Sequence, residues 1–134
     1  MDEIHRTLKN GGLCVITTPN LAAWYNRIAL FLGYQPFWTN VSLRHNVGKM
    51  VEVRNWKETS AAGHIRVFTF RSLRELLTIH RFTIIQTYGV KEEASNNNLY
   101  KFIFIINNIF SQFPSLAPQN IYLITKERHG QDAF

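Results

Sequence analysis

The sequence predicts an α/β fold, a small sheet covered by helices. Two observations predict it. Three apolar runs rich in β-branched residues, spanning residues 13–18, 82–90 and 120–127, read as strands. The segments between them place apolar residues three and four apart, which is the spacing of a helix face. The resulting order is helix, strand, helix, loop, helix, strand, helix, strand, and such alternation favours a helix-covered sheet.

Each element has its own signals. Ile4 and Leu8 share one helix face, with Asp2 and Glu3 at the start and Lys9 at the end, where the helix dipole favours acids and bases respectively. Asn10-Gly11-Gly12 stops that helix and turns the chain. LCVITT then reads as a buried strand closed by Pro19. Leu21, Trp24, Ile28, Phe31 and Leu32 predict a helix over 21–32, with Gly33 as its C-terminal cap. Residues 34–62 carry little periodicity and are expected to form a long loop or lid. Thr69 is expected to cap a helix whose stripe is Leu73, Leu76 and Leu77, ending near His80. The strand FTIIQTYGV follows Arg81, and a second apolar helix over 99–113 is stopped by Pro114. The strand NIYLITKE closes the fold, and residues 128–134 are expected to be a frayed tail.

Composition bounds the function. A chain of 134 residues is the size of a single domain, taken here as 1–134. Hydrophobic residues make up 46% and charged residues 18%, which excludes a disordered tail. Cys14 is the one cysteine, so neither a disulfide framework nor a cysteine-based zinc site is expected. The five histidines show no metal-ligand spacing, and no metal is expected. The start MDEIHRTLKNGG lacks the apolar core of a signal peptide, and no apolar stretch is long enough to span a bilayer; a cytoplasmic setting is the expectation.

DEIHRTLKNGGLCVITTPN resembles the second-half hallmark of class I S-adenosylmethionine-dependent methyltransferases, of the methyltransferase type 11 group. That hallmark is an acidic-start helix, Lys-Pro-Gly-Gly, and an apolar strand ending near Pro-Asn; Asn10 stands here in place of the proline. GHIRVFTFRSLRELLTIHRFTIIQ is similar to a later segment of the same family, with Arg81 where the family has glycine, and NIYLITKE to its last, antiparallel strand. The resemblance covers most of the chain. It implies a partial Rossmann-like methyltransferase fold of about three sheet strands, the last antiparallel, with flanking helices. These would be the fifth, sixth and seventh strands of a seven-stranded sheet.

The resemblance also implies what is missing. In the family a glycine-rich turn in the first half holds S-adenosylmethionine, because only glycine lets backbone approach the ligand closely. This chain contains no G-x-G-x-x-G, and Gly11-Gly12 stands after a helix and before a strand, the reverse of the required order. S-adenosylmethionine is thus the parent family's cofactor, and the chain alone is expected to bind none. The expected function is a truncated methyltransferase-like protein that supplies acceptor-side walls and a lid and is not active alone.

Four residues are singled out on the acceptor side, and no catalytic residue is assigned. Pro19 and Asn20 follow the first strand, where ligands of open α/β sheets sit, although ordinary turn chemistry with Asn20 capping the next helix explains both equally. Trp24 leads an aromatic cluster with Tyr25, Tyr34, Phe37 and Trp38 that suits an apolar acceptor pocket; packing is the commoner use of such residues. His64 could act as a base or orient an acceptor, against the plainer reading of a loop histidine with no nearby acid.

Partners follow from charge and pattern. The net charge is +6, with Arg44, Lys49, Arg54, Lys57, Arg66, Arg71 and Arg74 concentrated mid-chain. No nucleic-acid motif accompanies them, so a solvated face is preferred to nucleic-acid binding. A small-molecule or lipid-like acceptor is expected. The helix LYKFIFIINNIF could lie on a membrane surface, but packing on the sheet is the preferred reading. The alternative function is a non-catalytic interaction module. Its first strand would present a bare edge to a missing N-terminal half or to a second copy.

Overall fold

The computed structural model describes residues 1–42, 45, 47–50, 66–90 and 98–126, with backbone alone for 98–103. The elements, in chain order, are α1 (Asp2–Thr7), β1 (Leu13–Pro19), α2 (Trp24–Phe31), α3 (Phe70–Ile79), β2 (Phe82–Val90), α4 (Asn98–Phe110) and β3 (Gln119–Lys126). All seven expected elements are present. The structure is α/β, with a three-stranded sheet and flanking helices.

The sheet order is β1-β3-β2, and β3 runs antiparallel to both neighbours. β1 and β2 therefore point the same way, with the last strand of the chain inserted between them. Leu13 pairs with Thr125 and Pro19 with Gln119 along the first ladder. The second ladder runs from Phe82 opposite Lys126 to Val90 opposite Gln119, with a bulge between Ile84 and Gln86. A bulge resets which face each side chain meets. It lets Phe82, Ile84 and Thr87 share the face of Ile124 and Tyr122.

That face carries the core. Leu73, Leu77, Phe82, Tyr122 and Ile124 are fully buried there, and Met1, Ile4 and Leu8 of the N-terminal segment pack against them with Cys14, Ile16, Phe68 and Phe70. Cys14 is thus a packing residue. Alternation does the sorting, because β3 buries every second residue, Asn120, Tyr122 and Ile124. The opposite face is less covered among the described residues. Leu13 and Val15 remain 62% and 61% exposed, and Ile85 and Tyr88 about half. The expectation of a wholly buried first strand is corrected here, since β1 is an edge strand buried on one side alone.

Local chemistry fixes the helix ends. Thr69 caps α3 by accepting from the Ser72 amide at 3.1 Å, while the Thr69 amide donates to the Ser72 hydroxyl at 2.9 Å. Such reciprocal caps contribute about 1 kcal/mol. α2 begins at Trp24, three residues later than the apolar spacing predicts, because residues 20–23 are held in a turn described below. α4 ends at Phe110, not Phe113, since residues 111–117 turn back under the sheet. Gly89 permits that return, as a Cβ there would stand 2.2 Å from the Ser111 carbonyl oxygen. Arg81, between α3 and β2, adopts φ of 59°, the left-handed conformation that the glycine of the resembled family takes without cost. For arginine it costs about 1 kcal/mol or more.

Tyr122 ties the core to α3. Its hydroxyl donates to the Phe70 carbonyl at 2.8 Å, and its ring stacks on Phe70 with centroids 5.7 Å apart. Burial pushes the hydroxyl pKa up to about 12, against a smaller opposing pull from Arg74. The folded value lies above the ordinary tyrosine value of 10.0, so this stabilisation is intact below pH 10 and disappears as pH rises through about 12. Tyr122→Phe should cost about 1 kcal/mol near neutrality, from the lost hydrogen bond. In denaturant titrations, the variant should then lose less stability than the wild type between pH 10 and about 12. Identical alkaline losses in the two proteins would contradict the assignment.

Candidate functional site

The strongest constellation of polar groups lies where β1 ends. Asn20 is fully buried there, and both polar atoms of its side chain are hydrogen-bonded. Its Nδ2 donates to the carbonyls of Pro114, Ser115 and Ala117 at 3.3, 3.2 and 2.9 Å. Its Oδ1 accepts from the Ala22 amide at 3.0 Å, which is an Asx-type turn rather than a helix cap. The Asn20 backbone amide donates to the Pro118 carbonyl at 2.9 Å, and the Leu21 amide to Phe68 at 2.8 Å. One side chain thus joins the exit of β1 to the connection between α4 and β3. Pro19, immediately before it, is the last paired residue of β1.

Two further buried asparagines extend this frame. Asn26 Nδ2 donates to the Asn20 carbonyl at 3.2 Å, and its Oδ1 accepts from the Phe37 amide at 2.9 Å. Asn107 Oδ1 accepts from Trp24 Nε1 at 2.6 Å. Trp24 also stacks on Phe110, with centroids 5.6 Å apart, and meets the edge of Tyr25 at 5.7 Å. Tyr25 in turn presents an edge to Phe37, and Trp38 Nε1 donates to the Tyr25 hydroxyl at 3.1 Å. The aromatic cluster is real as geometry. It joins α2 to α4 and to the segment after α2, and no ring contact ties the exposed Tyr34 to it among the described residues.

That segment is pinned rather than loose over its described residues. The Gln35 amide donates to the Gly48 carbonyl at 2.7 Å. The Lys49 ammonium donates to the carbonyls of Pro36, Phe37 and Thr39. Burial pulls the Lys49 pKa below its ordinary value, while three carbonyl acceptors favour the charged form. The residues of the expected lid beyond Met50, and His64 with them, lie outside the described residues.

Pro19, Asn20 and Trp24 are therefore brought together at one end of the sheet. Asn20 is fully buried with both side-chain polar atoms bonded within the turn, so its part is to position the turn. Trp24 is half-buried and presents its ring beside Tyr25 and Phe110. Asn26, Asn107 and Lys49 were not singled out from sequence as parts of this frame. Asn107 had a signal, an amide inside a largely apolar helix, which calls for a partner when buried. Asn120 is buried beside this frame, and neither atom of its amide has a partner among the described residues. Among the described residues no group of histidine, cysteine or carboxylate side chains could hold a metal ion, and no helix is long and apolar enough to cross a membrane.

No family model and no curated protein matches the chain. The functional reading therefore rests on its residues and geometry.

The frame yields a prediction. Asn20→Ala deletes the donor for the Pro114 and Ala117 carbonyls and the acceptor for the Ala22 amide, whereas the Ser115 carbonyl keeps Arg27 Nη2 at 3.1 Å. Leaving such buried groups unpaired costs about 1–3 kcal/mol each, so a loss of about 3 kcal/mol or more is expected in equilibrium unfolding. A loss under about 1 kcal/mol, the range of an ordinary surface change, would show that the turn holds itself without this side chain.

Proposed function

We propose that the chain is the acceptor-side portion of a class I methyltransferase fold. The observation that supports this reading most is the sheet, whose final strand lies antiparallel between two strands that run the same way. The resemblance expects an antiparallel last strand, and the Pro-Asn turn stands at the end of β1, the end where ligands of α/β sheets sit. Trp24, Tyr25, Phe37 and Trp38 supply an apolar wall next to that turn, suited to a small-molecule or lipid-like acceptor.

The residues described do not fit S-adenosylmethionine. The positive-φ glycines are Gly11, Gly33 and Gly48, and each follows a helix or sits in the segment after α2. None opens the turn from a strand into a helix, where backbone would have to approach the ligand. In this reading the chain's own contribution is to hold an acceptor in place and keep water away from it. Pro19 and Asn20 fix the end of β1, and Trp24 forms the wall. His64 remains a candidate acceptor-orienting group. Calorimetric titration of S-adenosylmethionine into the chain alone should give no saturable isotherm. A tight one-to-one isotherm would contradict the division of labour proposed.

A second reading has its own support. β1 is an edge strand without a charged residue, and its outward Leu13 and Val15 are the most exposed apolar groups of the sheet. Charge, bulges or proline inside an edge strand usually guard against pairing, and β1 has none before its final residue. The chain would then be an interaction module that recruits a second copy or a separately encoded N-terminal half. Light scattering should find the wild-type chain associated and Val15→Lys monomeric. A monodisperse wild-type monomer would count against self-pairing.

A further inference from the structure

A second constellation lies at the opposite end of the sheet. β1 and β2 run in the same direction, so the entry of β2 is remote from the exit of β1. There α1 and the turn between α3 and β2 enclose an open groove of about 430 Å³, lined by Asp2, His5, Arg6, Ile79, His80 and Arg81. Five of its six lining residues carry ionisable groups, four of them basic. None takes part in the frame around Asn20.

The internal pairing of the groove is uneven. Asp2 Oδ1 stands 2.9 Å from His80 Nδ1, and Glu3 pairs with Arg6 at 2.8 Å. The carboxylate at Nδ1 orients the His80 ring and leaves Nε2 as its other polar atom. His5 sets its ring edge-on against Phe82 at 5.4 Å, which holds the imidazole at the groove wall. Arg81 is the guanidinium in the groove that has no carboxylate partner among the described residues. It is also the one described non-glycine residue with positive φ. Glycine would meet the backbone demand without strain, and an arginine there adds a planar five-donor fork beside two imidazoles.

We propose that this groove binds a small anion of the phosphate-monoester class, with Arg81 as its principal contact, and Arg6 and the imidazolium form of His80, whose Nδ1–H faces Asp2, as further donors. A guanidinium matches two oxygens of such a group at once, which a lone ammonium does not. Asp2 opposes the anion by charge, and its pairing with His80 confines it to one wall. This site is independent of the acceptor-side reading.

The test uses the full chain labelled with nitrogen-15 and carbon-13, titrated with inorganic phosphate at constant ionic strength. Saturable shifts confined to the His80 and His5 imidazoles and the Arg81 and Arg6 side chains are expected at up to about 20 mM phosphate, the range of a millimolar site. Arg81→Gly relieves the positive φ and should raise the melting temperature, so a folding defect cannot mimic loss of the site. The same variant should weaken phosphate at least tenfold. A parallel arm spins the chain with phosphatidic acid or phosphatidylcholine vesicles. Arg81-dependent pelleting with the former assigns a lipid headgroup, and phosphate shifts without pelleting assign a free anion. Absence of both, or undiminished phosphate binding by Arg81→Gly, overturns the proposal.

Discussion

The side chain of Asn20 is the constraint on which the arrangement of this protein depends. Three carbonyls of the α4–β3 connection turn toward one amide, and the Ala22 amide closes on its oxygen. The residues joined are more than ninety positions apart in sequence. Without such a tie, β3 would still have to find its slot between β1 and β2, but nothing polar would fix where the preceding connection lies. Gly89 is a consequence, because the connection passes so close to β2 that no side chain fits there. The displaced start of α2 is another, since residues 20–23 are committed to the turn.

The sheet separates the molecule into unlike surfaces. One face is sealed by α1 and α3 over Tyr122, Leu73 and Leu77, and the other carries exposed leucine, valine, isoleucine and tyrosine. The exit end of β1 presents buried asparagines and stacked aromatics. The entry end of β2 presents imidazoles and guanidiniums. The stacked aromatics, the exposed edge of β1 and the basic groove thus occupy separate places, and each can be altered without dismantling the others.

The sequence revealed the elements more fully than the relations between them. Periodicity located the strands because β-branched runs bounded by Gly, Pro and Asn are local signals. Thr69 was legible as a cap because a threonine stands just before the stripe of Leu73, Leu76 and Leu77. The less covered face of the sheet was not legible, since LCVITT reads as apolar whether one side is covered or both. Pro19 and Asn20 were singled out by the resemblance to a Pro-Asn turn and by their place after a strand, and Trp24 by its aromatic neighbours. The part Asn20 plays could not be read, as its partners are carbonyls, which carry no residue-type signature. Arg81 was visible as a departure from a glycine, and its positive φ gives that departure a physical meaning.

Native-state hydrogen exchange tests the central claim most directly. The amides of Asn20 and Trp24 donate to Pro118 and Leu116, bridging the segments that the Asn20 side chain joins, and the Leu21 amide ties the same turn to Phe68. They should exchange slowly and as one cooperative unit, with protection matching that of the β3 ladder. Rapid exchange at these three amides, with β3 still protected, would contradict the account by showing a stable sheet whose Asn20 turn opens on its own.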